Sequence, residues 1–197
     1  MVTVCVGQPW LDHIKMAELP IAPHLPDIVN ALLNKGRAVV ACETGAGKTT
    51  WVPIALLHEP FLQKKKILIL EPRRLATRMA ANRMAELLGQ KIGGTIGYQI
   101  KHERCMGPDT RIIVMTEGIF TRIIQNDPAL SDVGLVIFDE FHERSIHTDL
   151  GLSLCLEAAE VFRDDLKLLV MSATMETEAV SSILGGAPVI TSQGRRA

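Results

Sequence analysis

Short runs of mostly consecutive apolar residues recur along the chain, without the alternation of apolar and polar residues that marks a half-exposed strand. They lie at residues 38–42, 67–70, 111–115, 135–138, 168–171 and 188–191. Such runs are typical of strands that are buried on both faces of a sheet. Helical patterns separate them, at residues 27–33, 50–58, 76–88, 118–125 and 150–162. Alternating strands and helices indicate right-handed βαβ crossovers. We therefore predict an α/β fold, a mostly parallel sheet with helices on both faces, whose ligands bind beyond the carboxyl ends of the strands.

The domain organisation predicted from the sequence is simple. Residues 1–18 fit no pattern, and we interpret them as a poorly defined N-terminal extension. Residues 19–197 form one predicted domain, which is an ordinary size for a single globular unit. The chain is 47% hydrophobic, which is enough to build a core for that length.

Composition excludes several classes of protein. The formal net charge is −1, so any nucleic-acid site must be a local basic patch. The cysteines Cys5, Cys42, Cys105 and Cys155 lie far apart and form no CxxC pair. This spacing disfavours a zinc site or a disulfide framework, and we expect reduced thiols in a cytoplasmic protein. The apolar runs are the length of strands, so we expect no membrane partner.

A glycine-rich loop lies between the first predicted strand and the next helix, in the sequence CETGAGKT at residues 42–49. In a P-loop, backbone N–H groups and the helix N-terminus bind phosphate oxygens. Lys48 would reach the β- and γ-phosphates of ATP, and the Thr49 hydroxyl would ligate Mg²⁺. Cys42 departs from the general pattern, which has Gly there, and a simple turn capping a helix is the alternative. The predicted nucleotide-binding residues are Thr44, Gly45, Ala46, Gly47, Lys48, Thr49 and Thr50.

Two carboxylates follow the apolar run that ends at Phe138. Asp139 is positioned to hold Mg²⁺ together with Thr49, and Glu140 to polarise the attacking water as a general base. The alternative is that both carboxylates cap the next helix, where its dipole would favour them. The P-loop upstream favours the catalytic interpretation, because binding of Mg²⁺·ATP requires both segments.

Several motifs in order make the chain resemble helicase superfamily 2, namely Gly45–Thr49, Glu71–Ala76, Thr116–Gly118, Asp139–Ser145 and Ser172–Thr174. The Pro-Arg-Arg sequence, the Ile96–Tyr98 segment and the His-Glu-Arg-Ser sequence resemble the DEAH group. Phe141 stands where that group has Ala. Together with Ala46 and the Thr50–Pro53 segment, Phe141 makes the chain similar to the bacterial HrpB-type helicases.

The resemblance implies roles for further residues. It implies contacts with the backbone of single-stranded RNA for Arg73, Arg74, Thr116 and Gly118. It implies that Arg83 stacks on the nucleotide base, and that His142 joins Lys48 and Glu140 in catalysis. Ser172 and Thr174 would couple the nucleotide state to the affinity for nucleic acid, and His142 would be the residue that contacts them. Without the resemblance, the arginines indicate a solvated helix face and Thr174 indicates a helix cap.

We expect a RecA-like P-loop NTPase domain, the first of two in an ATP-dependent RNA or DNA helicase. Its cofactors would be Mg²⁺ and ATP, and its partners single-stranded nucleic acid and a second RecA-like domain. The QxxGRxGR segment that the resemblance places in that second domain does not occur in this sequence. These residues by themselves should hydrolyse ATP weakly and unwind nothing. A nucleotide-gated interaction module and a P-loop small-molecule kinase are the alternatives.

Overall fold

The computed structural model describes residues 19–43, 45–173 and 177–192 of the chain. The strands are β1 (Arg37–Cys42), β2 (Lys66–Leu70), β3 (Ile96–Ile100), β4 (Glu103–Cys105), β5 (Ile112–Met115), β6 (Val133–Phe138), β7 (Lys167–Ser172) and β8 (Val189–Ser192). The helices are α1 (Leu25–Lys35), α2 (Lys48–Leu56), α3 (Arg74–Leu87), α4 (Glu117–Asn126), α5 (Ile146–Val161) and α6 (Thr177–Ile183). Short 3-10 turns lie at Ala22–His24, Pro60–Leu62 and Phe141–Glu143.

The strands form one sheet in the order β4-β3-β5-β2-β6-β7-β1-β8. All neighbours pair in parallel except β3 and β4, which pair antiparallel. The interior residues of the central strands are apolar because helices cover both faces of the sheet. The mostly parallel α/β architecture predicted from the sequence is confirmed.

Two apolar layers sandwich the sheet. On one face α1, α2 and α3 bury residues such as Leu32, Ile54 and Met84. On the other face α4, α5 and α6 bury residues such as Phe120 and Cys155. Helices therefore lie on both faces, as predicted. No helix in the described part of the chain is long and apolar enough to cross a membrane.

Some elements were not predicted from the hydrophobic pattern. Gly97 and Gln99 interrupt the apolar run of β3, and β4 is only 3 residues long. Helix α6 buries little more than Thr177 and Val180, which gives no helical periodicity to detect. Residues 1–18, Thr44 and Thr174, for which we made predictions, lie outside the described residues.

Candidate functional site

The loops that follow β1, β7, β6, β2 and β5 leave the sheet in that order along its carboxyl edge. They do so because these strands are parallel neighbours, and ligands of such sheets bind at this edge. Each loop carries one of the motifs found in the sequence, in turn Gly45–Lys48, Ser172, Asp139, Arg73 and Thr116. The two predicted carboxylates, after β6, therefore lie between the phosphate loop and the predicted nucleic-acid-binding residues.

The phosphate loop is built around Gly47, which adopts a left-handed conformation with φ of +88° directly before α2. The Gly47 carbonyl accepts a hydrogen bond from the Trp51 amide at 2.8 Å, which closes the first turn of the helix. A Cβ atom at Gly47 would lie 2.8 Å from Trp51 Cδ1 and 2.9 Å from Leu19 Cδ1. Only glycine fits this position, and the loop exposes the helix N-terminus, where anions bind.

Lys48 and Glu140 form a buried ion pair between the phosphate loop and the loop after β6. The Lys48 Nζ atom lies 3.1 Å from Glu140 Oε1, and the Lys48 side chain is only 3% exposed. Glu140 has a φ of +48°, a left-handed conformation that costs free energy for any residue except glycine. The fold therefore holds a lysine and a carboxylate together at the place where both were predicted to act on ATP.

Asp139 fits a magnesium ligand. It is 2% exposed, and its Oδ2 atom has no hydrogen-bond partner among the described residues. Its Oδ1 atom accepts from the Glu140 amide at 2.9 Å. Burial raises the pKa of Asp139 to about 6, and the neighbouring Thr49 hydroxyl and Lys48 charge limit the rise. A buried carboxylate oxygen without a partner, beside a hydroxyl, suits a hard divalent cation.

A cation at this position would have few protein ligands. The described residues contain no group of three or more His, Cys, Asp and Glu side chains that could hold a metal ion. Magnesium commonly binds through one or two carboxylates, with water and substrate phosphates completing its coordination shell. The donor set of Asp139 and Thr49 agrees with that chemistry.

Glu71 is a further buried carboxylate at the same edge, which the sequence analysis did not assign. Its amide donates to the Met115 carbonyl at 2.9 Å, and the Asp139 amide donates to the Leu70 carbonyl at 3.0 Å. These bonds continue the strand pairing of β2 and place Glu71 beside Asp139. Burial raises the pKa of Glu71 to about 8, and the charge of Asp139 adds to the rise. In the sequence, the only indication that Glu71 belongs to the site was its position directly before Pro72 and Arg73.

A cavity of about 550 Å³ opens beside the phosphate loop. It brings together most of the predicted nucleotide-binding residues, and its lining is Leu19, Gly45, Gly47, Lys48, Thr49, Thr50, Trp51, Arg83, Leu87 and Glu140. Ala46 is buried in the core instead. Arg83 is far from the loop in sequence, yet it lines this cavity. The apolar side chains of Leu19 and Leu87 were not predicted here.

His142 lies between Glu140 and the loop after β7. Its Nδ1 atom lies 3.4 Å from the Ala173 amide, which donates to it, and 3.3 Å from Glu140 Oε2. Ala173 stands between Ser172 and Thr174, the residues predicted to couple the two ligands. The histidine therefore links the β7 loop to the proposed general base.

The predicted nucleic-acid-binding arginines differ in their surroundings. Arg73 pairs with Glu143 through two bonds, of 3.2 Å from Nε and 2.5 Å from Nη2. Arg78, which lies further along α3 and was not predicted to bind nucleic acid, pairs with Glu103. Arg74 is exposed, and it forms no ion pair with any of the described residues. The sequence did not indicate that Arg73 would be engaged by an acidic partner.

Thr116 and Gly118 flank the start of α4. Thr116 makes no side-chain capping hydrogen bond, and a Cβ atom at Gly118 would meet nothing within 4 Å. Both residues are half-buried and lie at the same sheet edge as Arg73. The structure thus brings the four predicted nucleic-acid-binding residues to one side of Asp139 and the cavity beside the phosphate loop to the other side.

Glu117, between them, points inward. It is 9% exposed, and its carboxylate accepts hydrogen bonds from the hydroxyls of Ser145 and Thr148. Ser145 also caps α5, because its Oγ atom accepts from the Thr148 amide at 3.0 Å. Glu117 was not predicted as a site residue, since a single Glu inside a short motif carries no periodic signal.

The fold and this edge define a RecA-like P-loop domain of the kind found in helicases. The chain belongs to the DEAD/DEAH box helicase family, whose family model matches residues 25–183. It is 51% identical to the ATP-dependent RNA helicase HrpB of Escherichia coli (strain K12), over 91% of this chain and 22% of the relative. It is 34% identical to the ATP-dependent RNA helicase HrpA of Borreliella burgdorferi, over 88% of this chain and 21% of the relative.

Solved structures agree with the sequence relatives. The crystal structure of the Escherichia coli DEAH/RHA helicase HrpB superposes with a TM-score of 0.86 at 51% identity, covering 90% of this chain and 22% of that one. The crystal structure of the E. coli DExH-box NTPase HrpB gives the same values. The chain thus spans about a fifth of the length of the curated relatives it matches. The predicted family and fold are confirmed.

Proposed function

We propose that this chain is the nucleotide-binding motor domain of an ATP-dependent RNA helicase, and that it hydrolyses ATP within a longer protein. The observation that carries the proposal is the buried pair of Lys48 and Glu140, 3.1 Å apart, beside the partnerless Oδ2 atom of Asp139. Asp139 and Glu140 follow β6, and they face the phosphate loop after β1 across the position of β7. Family membership and the names of the relatives support the same conclusion.

Lys48 and Glu140 would exchange partners when ATP binds. Without nucleotide, each neutralises the other in a buried place where a lone charge is costly. A γ-phosphate competes for Lys48, because its oxygens carry more negative charge than one carboxylate. Glu140 is then released to accept a proton from the attacking water. The ion pair therefore keeps the base occupied until a nucleotide is bound.

Asp139 and Thr49 would hold the magnesium ion of the nucleotide. That ion, when bound, offsets negative charge on the phosphates during transfer. Ionised Asp139 is needed for this, and the pKa of about 6 in the free domain means that the carboxylate loses its proton near neutral pH. Glu71, with its pKa raised to about 8, keeps its proton near neutral pH, so Asp139 supplies the negative charge at this edge.

The nucleic-acid partner would bind along the loops after β2 and β5. Arg73, Arg74, Thr116 and Gly118 lie there, and both arginine side chains reach the surface. Arginine and backbone groups of this kind contact phosphates and read little base sequence. RNA is proposed over DNA because the named relatives are RNA helicases.

The test is steady-state ATP hydrolysis by the full-length protein, without nucleic acid, with single-stranded RNA and with single-stranded DNA. We expect RNA to stimulate hydrolysis strongly. Lys48→Ala should abolish nucleotide binding and turnover, whereas Glu140→Gln should bind ATP and RNA but not turn over. Lys91→Ala and Glu178→Gln change exposed residues outside the site and serve as matched controls.

The outcomes separate the competing functions. Hydrolysis that neither strand stimulates would exclude a nucleic-acid motor and leave only the ATPase chemistry. ATP-dependent RNA binding without turnover under any condition would support a module that ATP merely gates, whereas full hydrolysis by Glu140→Gln would show that Glu140 is not the general base. Stronger stimulation by DNA would keep the motor and change its substrate. Phosphate transfer to a small molecule, in place of water, would indicate a kinase.

A further inference from the structure

Glu117 connects two segments that are far apart in the sequence. It is the first residue of α4 and stands between Thr116 and Gly118, the residues proposed to touch the strand. Each of its carboxylate oxygens accepts a hydrogen bond from a hydroxyl: Oε2 from Ser145 and Oε1 from Thr148. A carboxylate that is 9% exposed needs such bonds, and bonds to a charged acceptor are strong.

Ser145 and Thr148 form the start of α5, directly after the acidic segment. The Ser145 hydroxyl lies 2.8 Å from the Thr148 hydroxyl and accepts from the Thr148 amide at 3.0 Å. Ser145 alone supplies the helix cap, so α5 does not need Glu117 for its N-terminus. The bonds to Glu117 instead tie this cap to a different element.

Helices α4 and α5 are also packed closely enough to move together. A Cβ atom at Gly151 of α5 would lie 3.3 Å from the Phe120 ring of α4, so the two helices approach at a glycine. The Phe120 ring makes an edge contact with Phe138 at 6.3 Å between centroids, and Phe138 makes another with Phe141 at 6.4 Å. Close-packed contacts of this kind transmit displacement, because they leave no room for independent movement.

We propose that Glu117 is a positioning residue, which couples strand binding at the Thr116–Gly118 turn to the acidic segment through its bonds to Ser145 and Thr148. This inference rests on the proposed function, since it needs a strand at that turn and ATP at Lys48. A strand that moves the start of α4 displaces the Glu117 carboxylate. The start of α5, and with it Glu140, then shifts relative to the phosphate loop.

The coupling is measured as a ratio of two affinities. The dissociation constant of a fluorescein-labelled single-stranded RNA is determined on the full-length protein, with and without Mg²⁺ and a non-hydrolysable ATP analogue. The ratio is the coupling factor, and linkage requires the same factor for the effect of RNA on the analogue. Factors of about 5- to 150-fold are typical of coupled sites. RNA stimulation of ATP hydrolysis is measured on the same preparations.

Glu117→Gln keeps the size of the side chain and removes the charge that holds both hydroxyls. We expect its coupling factor to fall at least about fivefold towards one, with a parallel loss of RNA stimulation. Thr148→Val removes one hydroxyl, keeps the Ser145 cap and should change the factor in the same direction. The double variant should lose no more than Glu117→Gln, because both remove the same connection. Glu157→Gln, exposed on α5, is the matched control and should keep the parent factor.

A structural role would change different quantities. If Glu117→Gln weakens RNA binding equally with and without the analogue, Glu117 supports the fold only and the inference is overturned. An unchanged coupling factor overturns it as well, while leaving the proposed function intact. A parent protein with a factor of one and no RNA stimulation overturns both. Thermal unfolding checks each variant, and Thr148→Val decides the question if Glu117→Gln does not fold.

Discussion

Arg73 and Glu143 form a two-point ion pair between the loop after β2 and the acidic segment after β6, with bonds of 3.2 Å and 2.5 Å. The Arg73 side chain is 71% exposed and that of Glu143 is 27% exposed. Glu143 thus engages an arginine that we propose binds an RNA phosphate. A phosphate must compete with Glu143 for the same guanidinium, so the pair lowers the affinity for the strand.

Glu143→Gln should therefore tighten the binding of single-stranded RNA. An exposed ion pair contributes about 0.2–1 kcal/mol, so the dissociation constant should fall up to about fivefold at low salt. Arg73→Ala should weaken binding and make the salt dependence shallower by roughly 0.7 in the logarithmic slope. Fluorescence anisotropy across a salt series measures both.

The double variant provides the control for this competition. Once Arg73→Ala is present, Glu143→Gln has no arginine to release and should change the RNA affinity little. Weaker binding by the single variant Glu143→Gln would contradict the competition and indicate that Glu143 orients Arg73 for the strand.

Glu71 should make the stability of the free domain fall as the pH rises. Its pKa is about 8 in the folded chain against an ordinary 4.5, so below pH 4.5 both folded and unfolded states hold the proton. Between those values only the unfolded state loses it, and folding stability decreases until the folded pKa is passed. Glu71→Gln should remove a decrease on the order of 1–3 kcal/mol between pH 5 and pH 8.

The measurement is denaturant unfolding at several pH values, without nucleotide and with EDTA. Glu157→Gln removes an exposed carboxylate from α5 and should keep the pH dependence of the parent. Parallel curves for parent and Glu71→Gln would show that Glu71 does not hold its proton in the folded state.

Most of the sheet was predictable because its central strands are buried on both faces. Strands β1, β2, β5, β6 and β7 have apolar runs that local sequence reveals. The phosphate loop and Asp139 were predictable because each directly follows such a strand, at the edge of the sheet where ligands bind. Edge strand β4, with residues only partly buried, lacks that signal.

Contacts between loops were not predictable. Glu117 lies 28 residues from Ser145 and 31 residues from Thr148 in the sequence, and a carboxylate–hydroxyl network has no period. The pairing of Arg73 with Glu143, 70 residues apart, is equally hidden. Both depend on the strand order of the folded sheet, which places β2 and β5 near β6.

Phe141 should contribute substantially to stability although it stands in a functional segment. It is 2% exposed and makes an edge contact with Phe138. The Cζ atom of the Arg144 guanidinium lies over its ring, 5.3 Å from the ring centroid. Phe141→Ala should lower the free energy of unfolding by about 3–5 kcal/mol, and Phe141→Leu by less than about 2 kcal/mol. Urea unfolding with an unchanged slope measures this, and a loss below about 1 kcal/mol for Ala would mean that the site collapses to fill the space.

Gly47→Ala should weaken nucleotide binding at least about tenfold, which corresponds to about 1.4 kcal/mol. The residue has a φ of +88°, and the new Cβ atom would meet Trp51 at 2.8 Å and Leu19 at 2.9 Å. The matched control is Gly89→Ala, which has a φ of +64° and nothing within 4 Å of a new Cβ atom. That variant carries the backbone strain of about 1–2 kcal/mol without the steric clash, and it lies outside the nucleotide cavity. Titration with a fluorescent ATP analogue should therefore give parent affinity for Gly89→Ala. Equal affinities for the two variants would mean that the phosphate loop relaxes around the added methyl group.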